Sequence, residues 1–95
     1  MNITRKDIFE AGYMTYLAVY EHFDGVAREL DRLYLRPDLP ADKKDAIFQL
    51  SVQASRLDAS KSRGVDLRSY GRFMRELDLL LDWIVSLPLD GEVQS

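Results

Sequence analysis

Apolar residues recur along the first third of the chain at Phe9, Tyr13, Tyr16, Tyr20, Phe23, Ala27, Leu30 and Tyr34. The steps alternate between four and three residues, the repeat of a helix with one apolar stripe. This predicts a single unbroken helix from Arg5 to about Leu35. Thr4 stands at its capping position, and Ile3 and Ile8 are spaced as a hydrophobic staple. Gly25 lies opposite the stripe; a glycine there costs about 1 kcal/mol relative to alanine and marks where so long a helix would bend. Pro37 closes the segment, because proline disfavours the helical region for the residue before it.

A second helix opens at Pro40, with Asp42 in its first turn, and should run over 40–60. Its apolar positions are Ile47, Leu50, Ala54 and Leu57, widened by Phe48 and Val52. The turn Ser60–Gly64 ends it. Asp66 is a good N-cap for a third helix over 67–87, with Val65 and Tyr70 as a staple pair. The third stripe is Tyr70, Phe73, Leu77, Leu80, Ile84 and Leu87, and Pro88 stops it. No segment alternates with period two, so no sheet is expected. Short connections make neighbouring helices antiparallel. The expectation is one all-α domain over 1–95: an up-down-up three-helix bundle with a long first helix. That helix would overhang its partners by about three turns or bend at Gly25.

Composition narrows what such a bundle can do. The 95 residues contain no cysteine and one histidine, which removes disulfides, thiol catalysis and Cys/His metal sites. No apolar run is long enough for a membrane helix, and the first residues lack the apolar core of a signal peptide. A cytoplasmic location with no membrane partner is expected. The net charge of −3 argues against general nucleic-acid binding. No Glu-x-x-His motif, glycine-rich phosphate loop or Ser–His pair at helical spacing occurs, so neither enzyme activity, a cofactor nor a small-molecule substrate is expected. His22 reads as a boundary residue of the first helix, since no ligating partner stands four residues away.

Two surfaces stand out. The third helix is polar only at Asp78, Asp82 and Ser86 between Leu77 and Leu87. Leu79 and Val85 therefore point away from the stripe, with Trp83 at its margin. Such a surplus suggests a second copy or a different protein covering it. Residues 56–76 hold six basic residues against three acidic ones, a net +3, while residues 77–95 carry −4. Arg68, Arg72 and Arg75 share one face of the third helix. With Arg56, Lys61 and Arg63 they form a patch suited to carboxylate or phosphate groups. Tyr13, Tyr16 and Tyr20 suit a wet boundary or a partner better than a dry core, because each hydroxyl needs a hydrogen-bonding neighbour. The leading expectation is a small homodimeric regulator, inhibitor or adaptor that binds protein through Arg68, Arg72, Arg75, Leu79 and Trp83; the size also suits a phage- or plasmid-type inhibitor of a larger complex. The alternatives are a nucleic-acid contact at the basic patch and a structural dimerisation subunit.

Overall fold

The computed structural model describes the backbone of residues 5–86 and the side chains of residues 9–86. Leu87, the acidic tail, the Thr4 cap and the Ile3–Ile8 staple lie outside the described residues. The chain forms α1 (Arg5–Val19), α2 (Phe23–Tyr34), α3 (Ala41–Ser60), a 3-10 turn (Lys61–Arg63) and α4 (Leu67–Ser86). No strand occurs among the described residues.

The expected long first helix is instead two helices, and the break falls before Gly25. Glu21 adopts a left-handed conformation, with φ of 61°. The His22 N–H donates to the Leu17 carbonyl at 2.8 Å, and the Glu21 N–H donates to the Ala18 carbonyl at 3.1 Å. That pair of bonds is the Schellman closure of a helix C-terminus, a position more often held by glycine. The Ala18 carbonyl also accepts the Tyr70 hydroxyl at 3.2 Å, which ties the end of α1 to α4. Gly25 has a different task. A Cβ there would sit 3.0 Å from Leu17 Cδ1, so its bare backbone is the seat on which Leu17 rests.

Burial explains why the chain doubles back. A continuous helix would carry α1 beyond the bundle and leave Ala11, Met14, Leu17 and Ala18 in water. In the folded chain all four are buried. Phe23, fully buried at the corner, meets Tyr70 and Phe73 edge-on at centroid distances of 6.0 and 6.2 Å. Returning this apolar surface to the core outweighs the cost of one left-handed residue, since a single fully buried large side chain contributes about 1.5–3 kcal/mol.

The helices form a ring in chain order, each packing on its two neighbours. Side-chain pairs give their directions. Glu10 meets Arg32 at 3.3 Å while Leu17 lies on Gly25, so α1 and α2 are antiparallel. Asp31 accepts the Ser51 hydroxyl at 2.8 Å while Tyr34 lies near Phe48, so α2 and α3 are antiparallel. Gln53 donates to Glu76 at 2.7 Å while Lys43 lies over Trp83, so α3 and α4 are antiparallel too. The result is an up-down-up-down four-helix bundle, and the expected overhang does not exist.

Most of the expected stripes of α2, α3 and α4 face inward: Phe23, Ala27 and Leu30; Ile47, Leu50, Ala54 and Leu57; Phe73, Leu77, Leu80 and Ile84; Tyr70 is half-buried, and Tyr34 at the end of α2 is exposed. Phe48 was expected to widen the α3 stripe but faces outward, beside Tyr34 and solvent. The α1 stripe is reversed. Phe9, Tyr13, Tyr16 and Tyr20 are exposed, and the smaller residues of the opposite face fill the core. Alanines let α1 lie close to α2 and α4, and the outward position leaves each tyrosine hydroxyl in water.

Candidate functional site

Two outward faces carry the residues that the sequence singles out. The first belongs to α4, positioned by its buried stripe. Turned away from that stripe, with Trp83 at its margin, Arg68, Arg72, Arg75, Leu79 and Trp83 follow one another in a row of about 22 Å at 1.5 Å per residue. All three arginines are exposed, and none forms an ion pair among the described residues. Leu79 is 65% exposed. Trp83 is half-buried against the core, with Lys43 Nζ 5.3 Å from its ring centroid. Val85, also exposed, lies off this row.

The row begins at a well-made helix start. Asp66 accepts the Arg68 N–H at 3.2 Å and the Ser69 hydroxyl at 2.8 Å. The Ser69 hydroxyl, then the Arg68 N–H, hold the Asp66 carboxyl below its ordinary range. Val65 and Tyr70 pack on the core as the staple pair requires.

The wider basic patch is only partly assembled. Arg56 shares with Arg72 a groove between α3 and α4, but Asp66 and Glu76 line it too. Lys61 pairs with Asp58 at 3.0 Å, and this carboxylate raises the Lys61 pKa. Arg63 is exposed at the end of the 3-10 turn, before Gly64. The groove therefore presents mixed charge; the α4 row itself holds three arginines, but Glu76 flanks it on the groove side and exposed Asp78 and Asp82 flank it on the other.

The second face belongs to α1. Between Ile8 and Tyr20 the only charged residue is Glu10, which is turned towards Arg32 of α2. The outer surface consists of Phe9, Gly12, Tyr13, Tyr16, Val19 and Tyr20, all exposed. Phe9 is 72%, Tyr16 55% and Tyr20 60% exposed. Tyr13 and Tyr16 stack at 6.0 Å, and Tyr16 and Tyr20 lie 4.8 Å apart. His22 is exposed beside this ladder and lines a shallow groove with Tyr13, Tyr16, Arg28 and Arg32.

Sequence reasoning placed the tyrosines on one face, with Val19 at its flank, but missed Gly12 as a member of it. The available signal was a second repeat: Phe9, Gly12, Tyr13, Tyr16, Val19 and Tyr20 step by three, one, three, three and one, and carry no charge. Among the described residues no helix is long and apolar enough to cross a membrane, and no cluster of three metal-ligating side chains forms. No known family model, curated protein or solved structure matches the chain.

Proposed function

We propose that this protein is a binding module, a regulator, inhibitor or adaptor that docks on an acidic protein surface through the outer face of α4. One observation carries this reading: three exposed arginines, without ion pairs among the described residues, lead directly to Leu79 and Trp83 on the same helix. Guanidinium groups recognise carboxylates in a planar, two-pronged geometry. Exposed charges of one sign steer an oppositely charged partner, while a leucine and a tryptophan supply the desolvated anchor. The reading assigns the chain no catalytic step.

Affinity capture compares the native chain with a variant carrying Arg68→Glu, Arg72→Glu and Arg75→Glu. The expected result is an acidic protein retained by the first and lost by the second, with binding that weakens as salt rises. Capture of the same proteins by both chains would rule the reading out.

A nucleic-acid partner is the second reading, favoured by Arg56 and Arg72 lining one groove. Asp66 and Glu76 in that groove and the Lys61–Asp58 pair weigh against it. Retention of RNA or DNA on a filter at low salt, falling steeply with added salt, would reverse the order of the two readings.

A further inference from the structure

Among the described residues, the outer face of α1 gathers Phe9, Tyr13, Tyr16, Val19 and Tyr20, five exposed large apolar side chains on one helix face, and its residues specify what can cover it. We propose that it is a homodimer interface, in which α1 packs antiparallel on α1 of a second copy about a two-fold axis beside Gly12 and Tyr13.

Charge comes first. A two-fold axis sets every residue near it against its own kind, so a face that pairs with itself must avoid a concentration of like charge. The α4 row, with Arg68, Arg72 and Arg75, fails that condition. The α1 face meets it, since Phe9, Gly12, Tyr13, Tyr16, Val19 and Tyr20 are all uncharged. Tyrosine adds a group that both donates and accepts, so tyrosine hydroxyls can satisfy one another across the axis.

Shape is the second argument. An antiparallel pairing centred between Gly12 and Tyr13 sets Phe9 of one copy against Tyr16 of the other. It also places each Tyr13 ring over the other copy's Gly12. A large side chain then meets a position with no side chain, the complementarity of interdigitated helices. Gly12 is exposed, and a Cβ built on it meets nothing within 4 Å, so its own bundle gives no packing reason for a glycine in mid-helix. Close approach of a second backbone supplies one.

Area is the third. At about 150–250 Å² per aromatic side chain, the exposed parts of Phe9, Tyr13 and Tyr16, the rings this register sets face to face, leave on the order of 350 Å² open on each chain. Two such faces bury about 700 Å² together, and Val19 and Tyr20, which fall opposite Lys6 and Arg5 of the second copy, form the rim that must bring the total to the roughly 1,000 Å² of a specific interface. The Tyr13–Tyr16–Tyr20 ladder is already stacked within one chain, which reduces the side-chain entropy lost on pairing.

Sedimentation equilibrium tests this on the full chain and on Tyr16→Glu, Gly12→Leu and Arg72→Glu. Gly12→Leu fills the proposed hole and replaces a poor helix former in open space, so its fold is not at risk. The native chain should sediment as two copies at about 100 µM, a modest requirement for an interface of this size. Tyr16→Glu and Gly12→Leu should each raise the dissociation constant at least about tenfold, a loss of about 1.4 kcal/mol. Arg72→Glu should leave the dimer intact, which separates this face from the α4 row. A native chain that sediments as one copy, a dimer that survives either α1 substitution, or a dimer dissolved by Arg72→Glu overturns the proposal.

Discussion

Glu21 shows how much one residue can decide. Its left-handed backbone costs a non-glycine residue about 1–2 kcal/mol, yet the whole α1–α2 corner turns on it. The two closing bonds, from His22 to Leu17 and from Glu21 to Ala18, are those that a glycine would make. Glu21→Gly should therefore stabilise the fold by about 1 kcal/mol, partly offset by the greater freedom of glycine in the unfolded chain. A urea titration should show a higher midpoint with an unchanged slope. An unchanged or lower midpoint would mean that the corner is held by Phe23 and Tyr70 without strain at Glu21.

At the scale of the element, α4 is the clearest case of local sequence and local structure agreeing. Asp66 caps it, Val65 and Tyr70 clip its first turn, and from Phe73 to Ile84 its buried stripe is the one read from the sequence, widened by Leu81. Because the Ser69 hydroxyl and the Arg68 N–H favour the charged Asp66, its folded pKa lies below its unfolded one. The cap therefore contributes fully above the ordinary aspartate range and loses its contribution as pH falls through the lowered folded-state pKa. In an acid titration followed by NMR, the Arg68 and Ser69 amide shifts should move together with a midpoint below that of an ordinary aspartate. Asp66→Asn should abolish that step. In α1 the agreement fails, because two apolar faces compete there: aromatic residues on one, and Ala11, Met14, Leu17 and Ala18 on the other. Size favours the aromatic face in a reading of the sequence. The close spacing of packed helices and the need to hydrate tyrosine hydroxyls favour the other in the fold.

For the whole molecule, the corner at Phe23 converts an expected three-helix bundle into a ring of four. Phe23 joins the end of α1, the start of α2 and the aromatic pair Tyr70 and Phe73 of α4. Phe23→Ala should cost about 3–5 kcal/mol, since it empties a site shared by three helices. Calorimetry should show a large fall in melting temperature, and hydrogen exchange should show α1 opening first. Equal protection of α1 and α3 in that variant would show that the corner does not organise the ring. Much of this molecule was legible along the chain: its all-helical class, the ends of α3, the cap of α4 and three of four buried stripes. Each follows from local rules, in which side-chain period, proline geometry and capping oxygens act within a few residues. The break at Glu21, the inward turn of Ala11 and Met14, and the exposure of the tyrosine ladder were not legible. They depend on which surfaces α2 and α4 offer to α1, a long-range competition for burial that no local spacing encodes. The arginine row of α4 was visible as a spacing, but that it makes no ion pair among the described residues emerged only when the helices were placed around one core.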